Sequence, residues 1–257
     1  KDCLEIEKLT KNYPSVFWIA MEYRYMPPVS KFIKEIHSKT IGDLKTLTIR
    51  EHRFPFLKKV NDWNRFEKNT GGTLIEKCCH FFDLMRFIVK SEPVSVYASG
   101  GQDVNHLDEE YDGKKPDIID NAYVIVNFEN GSRSMLELCM FAENSEMQEE
   151  LTATGNIGKI ETSVPSNESG KTTSDVRIGM RDGKTKQESV SVDPKILEAG
   201  HHHGSTYYEH LAFINAVKNK LKPEVSLNDG LIAVAVGEAA ETSIKLGRVV
   251  KLNEIIT

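Results

Sequence analysis

Residues 119–140 read IDNAYVIVNFENGSRSMLELCM. Apolar and polar positions alternate on both sides of Asn130-Gly131, and that dipeptide supplies the positive backbone angles a tight hairpin needs. The same grammar extends over a hundred residues. Short β-branched segments at 94–99, 119–128, 132–140, 149–155, 158–164, 175–180 and 187–192 are punctuated by turn dipeptides such as Asp182-Gly183. This spacing predicts a meandering, mostly antiparallel sheet.

Upstream of the sheet, Ile6, Leu9 and Tyr13 recur at helical spacing until Pro14, and Val16–Ala20 then forms a short apolar run, which reads as helix, turn, strand. Pro27-Pro28 opens a second helical pattern through Val29, Phe32, Ile33 and Ile36 that Gly42 closes. From Asp43 to Phe54 the period changes to two, predicting a long strand, followed by a polar loop, 55–70, that carries Trp63. Gly71-Gly72 then introduces TLIEKCCHFFDLMRFIV, apolar nearly all round and too long for a strand, so one buried helix is expected. Beyond the sheet, helices are predicted over 205–221 and 226–246, divided by Pro223. The fold class is therefore α+β, a large mostly antiparallel sheet with helices on one face. Its other face is expected to bury against a second copy, giving a homodimer or tetramer.

Composition excludes several classes of function. The 257 residues are 39% hydrophobic and 28% charged, as expected of a folded globular chain. A net charge of −5, with 33 basic and 38 acidic residues spread along the chain, leaves no basic stripe for nucleic acid. The longest strongly apolar stretch, 231–240, is broken by Gly237 and Glu238, and no signal peptide opens the chain, so no membrane partner and a cytoplasmic location are expected. Cys3, Cys78, Cys79 and Cys139 do not form a disulfide framework, and reduced thiols fit best.

The chemistry concentrates on the predicted buried helix. Glu76, His80 and Asp83 fall at i, i+4 and i+7, which on one continuous helix places them along a single face. Ionisable groups in apolar surroundings need partners or a ligand. A carboxylate beside an imidazole makes a general base, although a satisfied pair bridging helix to sheet accounts for the same pattern. Gly71-Gly72 is either a plain helix start or a place where a ligand comes close to the backbone.

The run Gly71-Gly72-Thr73-Leu74-Ile75-Glu76-Lys77-Cys78-Cys79-His80-Phe81-Phe82-Asp83 resembles the GG-x3-[DE]-x3-H-x2-D signature of the Gfo/Idh/MocA oxidoreductases. Arg24-Tyr25 before Pro27-Pro28 is similar to that family's RRF-x-P junction, Ile41-Gly42 to its strand lead-in, Trp63 to its loop tryptophan, and Gly200-His201 with Gly204 to its late glycine-rich turn. The resemblance implies a two-domain enzyme that oxidises a secondary alcohol of a sugar, inositol or related polyol with NAD or NADP. It also implies that His80 is the base and Glu76 its partner, with Lys77, Thr73, Trp63 and Arg24 as substrate-binding candidates. Glu76 stands where many members carry Asp, which lengthens the reach and keeps the charge.

The chain departs from the family in having neither G-x-G-x-x-G after a strand nor the family's Glu-Lys-Pro. Residues 1–25 are therefore expected to be a remnant of the dinucleotide-binding domain, and 26–257 the substrate-binding and dimerisation domain. Cofactor-binding residues are assigned to the absent domain, and no NAD is expected to bind this chain alone. A non-catalytic module that has lost redox activity is the alternative. A zinc hydrolase built on Cys78, Cys79, His80 and Glu76 is disfavoured, because adjacent cysteines on a helix diverge by about 100°, and no metal site is expected. His201-His202-His203 is assigned to a loop, and 103–115 to a solvated loop that could cover the substrate mouth.

Overall fold

The computed structural model describes residues 2–198 and 202–256. Nine strands form one sheet: β1 (Leu44–His52), β2 (Pro93–Gly101), β3 (Asn121–Phe128), β4 (Arg133–Cys139), β5 (Met147–Gly155), β6 (Gly158–Pro165), β7 (Thr173–Met180), β8 (Thr185–Ser191) and β9 (Val250–Lys251). Their order is β8-β7-β6-β5-β1-β4-β3-β2-β9. The long strand β1 lies in the middle, parallel to β4 and antiparallel to β5, and the remaining pairs are antiparallel. The expected fold class is thus observed. The hairpin of 119–140 turns at Gly131, whose φ of 82° suits glycine.

Alternation along the strands divides the sheet into two faces. Leu47, Ile49, Val96, Val124, Leu136, Leu151 and Ile160 point inward and are buried. They meet helices α2 (Pro27–His37), α5 (Cys79–Val89) and α8 (Leu227–Leu246). Tyr97, Tyr123 and Ile125 face the other way and are exposed. Helix α8 starts in a capping box formed by Ser226 and Asp229 and ends at Gly247, at φ 63°. Its Gly237 lies so close to α4 (Thr73–Glu76) that a Cβ there would sit 2.6 Å from the Leu74 carbonyl oxygen.

Two expectations are corrected. The single helix over 73–89 is broken: α4 ends at Glu76, α5 starts at Cys79, and between them Lys77 (φ −101°, ψ −45°) and Cys78 (φ −85°, ψ −5°) leave ideal helical geometry. The break turns Lys77 inward to meet a buried carboxylate on β1, a partner no helix pattern reveals. The run Val16–Ala20 joins no sheet among the described residues. A strand needs a neighbour for its peptide groups, and the backbone bond found here is Ile19 N–H to the Val225 carbonyl at 3.2 Å. The preceding helix, α1 (Asp2–Thr10), forms as expected, and α3 (Glu67–Thr70), α6 (Pro194–Glu198) and α7 (Ser205–Asn219) complete the α-helices among the described residues.

Candidate active site

At the α4–α5 break a cavity of about 370 Å³ opens, lined by residues from six parts of the chain. The 3-10 turn Glu22–Tyr25 contributes Glu22 and Tyr23, and the segment after β1 contributes Arg53, Phe54, Phe56, Leu57 and Lys59. Glu76, Lys77 and His80 come from the break, while Gln148, Asn167 and His202 close the remaining side. Glu76 and His80 therefore share one cavity, as their spacing suggests, although the helix between them is interrupted.

The carboxylate beside His80 is Glu22. Glu22 Oε2 lies 3.1 Å from His80 Nδ1. The contact lies off the line of an ideal hydrogen bond, because Nδ1 has no aligned acceptor among the described residues. Burial pushes the Glu22 carboxyl up, but the adjacent imidazole overrides it and holds the group down at about 2. The Tyr23 ring stacks on the imidazole at 5.2 Å and 27°, and the His202 ring sits 5.0 Å from the same tyrosine. Burial, with Lys77 nearby, pushes His202 down to about 3, so it is a neutral ring at neutral pH. Glu76 is half-buried and makes no side-chain hydrogen bond or ion pair among the described residues.

Beneath the cavity lies a buried ionic cluster. Lys77 Nζ sits 3.0 Å from Glu51 Oε1 and donates to the Tyr23 hydroxyl. Arg53 Nη1 lies 3.6 Å from the same Glu51 oxygen. Glu149 is the cross-strand partner of Glu51, is equally buried, and accepts from Gln148 Nε2 at 2.8 Å. Burial first, and then the Glu51 charge, push Glu149 up to about 8, so it carries a proton at neutral pH.

The other predicted residues have structural partners. Arg24 is 7% exposed, and its guanidinium donates through Nε to Asp83 Oδ2 at 2.6 Å and through Nη2 to Oδ1 at 2.5 Å. It also donates to the Glu224 carbonyl at 3.2 Å and lies over the Phe87 ring. Arg24 and Asp83 thus satisfy each other inside the protein, and neither is in the cavity lining. Thr73 is buried and donates to the Ile119 carbonyl at 2.6 Å, and Trp63 is 40% exposed outside the cavity lining. Neither is brought to the site.

The loop 103–115 is not part of the cavity lining either. Asp120 accepts the backbone N–H groups of Asp103, Val104 and Asn105, and Arg65 Nε meets Glu109 Oε2 at 2.7 Å. Gly200 and His201 lie outside the described residues, while His202–Gly204 forms a 3-10 turn with His203 at φ 53°. All four cysteines are free, and burial pushes the Cys79 thiol up to about 12, so it is not a poised nucleophile. No helix among the described residues is long and apolar enough to cross a membrane.

Pattern reading missed Glu22, Glu51, Arg53 and Glu149. A signal for three of them was present: Glu51 and Arg53 continue the face of β1 that begins with Leu47 and Ile49, and Glu149 continues the face of Leu151 and Ala153. Charges in register with a core face need partners inside a folded protein. Glu22 lies only two residues from Arg24 but outside any periodic element.

This combination, a nine-stranded sheet layered with helices and a cavity lined by Glu22, Glu76 and His80 at the start of α5, defines an α+β domain. The chain belongs to the Gfo/Idh/MocA oxidoreductases: residues 33–252 match that family's C-terminal alpha/beta domain. It is 27% identical over 250 residues to a myo-inositol 2-dehydrogenase of Thermotoga maritima, covering 96% of this chain and 67% of that protein. Solved structures with the same fold include levoglucosan dehydrogenase in complex with NADH and levoglucosan, at 17% identity and a TM-score of 0.77 over 98% of this chain and 70% of that one. An aldose-aldose oxidoreductase of Caulobacter crescentus complexed with glycerol gives 19% identity and a TM-score of 0.73 over 97% and 68%. The chain spans about two thirds of the length of these relatives, and 62% of an uncharacterized oxidoreductase of Bacillus subtilis that is 24% identical to it.

Proposed function

We propose that this chain is the substrate-binding part of an NAD(P)-dependent dehydrogenase acting on a secondary alcohol of a sugar, inositol or related polyol. The observation that carries the reading is the convergence of His80, Glu76, Lys77 and Gln148 with the rings of Tyr23, Phe54 and Phe56 around one cavity. Charged and amide groups match hydroxyls, and aromatic faces match the C–H surface of a sugar ring. The names of the relatives support the same class.

In this reading His80 Nε2, which has no protein partner among the described residues, removes the hydroxyl proton of the substrate. The carbon–hydrogen bond electrons leave that carbon as hydride, and the alcohol becomes a ketone. A nicotinamide cofactor, when bound, is the hydride acceptor. The described residues contain no glycine-rich β–α turn to cradle a pyrophosphate, so this chain supplies only the substrate side. Lys77 lies where an ammonium can donate to a substrate oxygen, and Glu76 where a carboxylate can accept from a hydroxyl. We assign residues 1–25 to the edge of a nucleotide-binding domain and 26–257 to the substrate domain.

The exposed pair Tyr97 and Ile125, neighbours across β2 and β3, with the half-buried Met135 beside Ile125 on β4, supports assembly through the open sheet face. Thermal-shift titration with a polyol panel tests the function. A polyol that binds the folded chain at a hundred times its Kd stabilises it by about 2.7 kcal/mol, and His80→Gln weakens this shift. If no polyol or sugar moves the wild-type melting temperature while an unrelated ligand class does, the assignment is wrong.

A further inference from the structure

We propose that Glu22, on the 3-10 turn before α2, is the positioning residue of His80, and that Glu76 is thereby left to the substrate. The inference rests on the dehydrogenase reading only for what His80 does, not for how it is held.

Three observations converge on it. Glu22 Oε2 lies 3.1 Å from His80 Nδ1, whereas Glu76 makes no side-chain hydrogen bond or ion pair among the described residues. The α4–α5 break lies between Glu76 and His80 and removes the continuous helical register that would have set those two side chains one above the other. The imidazole plane is fixed from below by Tyr23, the residue after Glu22, and the Tyr23 hydroxyl is held by Lys77, which is held in turn by Glu51. Glu22 and Tyr23 thus approach His80 together from a segment far from α5 in sequence.

A carboxylate beside Nδ1 selects the tautomer with its proton on Nδ1, which leaves the Nε2 lone pair as the basic site. The geometry is looser than an ideal hydrogen bond, as apo catalytic pairs often are, and tightens when Nε2 accepts a proton and the ring becomes cationic. The depressed Glu22 carboxyl agrees: the group is ionised throughout the working pH range. Of the other titratable groups, His202, Asp83 and Glu209 act on His80, while Lys77, Arg53 and Glu76 line the same cavity, and among the described residues the only carboxylate in contact with the ring is Glu22.

The test reads the tautomer directly from the ¹⁵N shifts of the His80 imidazole in the folded chain without substrate, with the resonance assigned by His80→Gln. The wild type is expected to show a protonated Nδ1. Glu22→Ala is expected to move His80 toward the Nε2–H form favoured by free histidine, Glu22→Asp to recover the wild-type shifts in part, and Glu76→Ala to leave them unchanged. Glu22→Gln, which keeps an acceptor and removes the charge, gives an intermediate shift and serves if Glu22→Ala does not fold. Unchanged shifts in both Glu22→Ala and Glu22→Gln, or a tautomer change in Glu76→Ala instead, would overturn the proposal. In the catalytically complete protein Glu22→Ala is expected to lower kcat about 10- to 100-fold with little change in KM, while Glu76→Ala acts mainly on KM. Should no polyol bind the wild type, the dehydrogenase reading falls, and the Glu22 assignment is still decided by the ¹⁵N shifts.

Discussion

At the scale of single residues, burial pushes both Asp83 and Glu149 up, but only Asp83 has a cation bonded against it. Asp83 is matched by the Arg24 fork, and removing one partner leaves an uncompensated charge inside the protein. Arg24→Met is therefore expected to destabilise the fold by about 3–5 kcal/mol in urea denaturation, more than a cavity-lining residue such as Lys59 would. A cost below 1 kcal/mol would show that Arg24 is not the structural anchor described above. Glu149 has no such match and keeps its proton to about pH 8. Between pH 4.5 and 8 the unfolded chain releases that proton while the folded chain retains it, so folding stability falls as pH rises through this window. Glu149→Gln mimics the protonated acid and removes that slope. Its melting temperature should exceed the wild type's at pH 8 by several degrees, at about 2–4 °C per kcal/mol, and converge on it near pH 4.5. Parallel pH profiles of the two proteins would refute the assignment of a buried neutral acid.

At the scale of elements, the pair of glycines ahead of α4 is where backbone and side-chain constraints meet. Gly72 has φ 99°, and a Cβ there would lie 2.4 Å from Glu241 Oε1 on α8. That carboxylate accepts the Leu74 N–H at 3.0 Å and so caps the element that carries Glu76 and Lys77. Gly72→Ala combines a strained backbone with displacement of this cap and is expected to cost about 1–3 kcal/mol, readable by chemical denaturation. An effect below half a kcal/mol would mean that the Glu241 contact is dispensable. The strands were legible in the sequence because period-two alternation and turn dipeptides such as Asn130-Gly131 are local signals. So was the cavity's core, since Glu76 and His80 are four apart. The break at Lys77 and Cys78 was not legible, because the partner of Lys77 there, Glu51, lies on a strand distant in sequence. Glu22 was not legible either, because its contact with His80 spans segments with no shared period.

At the scale of the whole molecule, the sheet has one face packed under α2, α5 and α8 and one face bearing Tyr97, Tyr123 and Ile125 in the open. If that face joins copies of the chain, Ile125→Asp should lower the mass seen by sedimentation velocity to that of a monomer and leave the far-ultraviolet circular dichroism unchanged. An unaltered sedimentation coefficient would place any assembly elsewhere. Toward β7 and β8 the same face carries ion pairs such as Arg177 with Glu161, which keep that half solvated.

The bond from Leu74 to Glu241 joins residues 167 positions apart. During synthesis, the segment bearing Glu76 emerges long before its acceptor exists, and its buried amide stays unanswered until α8 has cleared the ribosome. Closure of the cavity is thereby tied to a segment made long after the one it completes. Chains released before residue 241 should therefore leave the Leu74 amide without its acceptor and expose it to the cell's quality control.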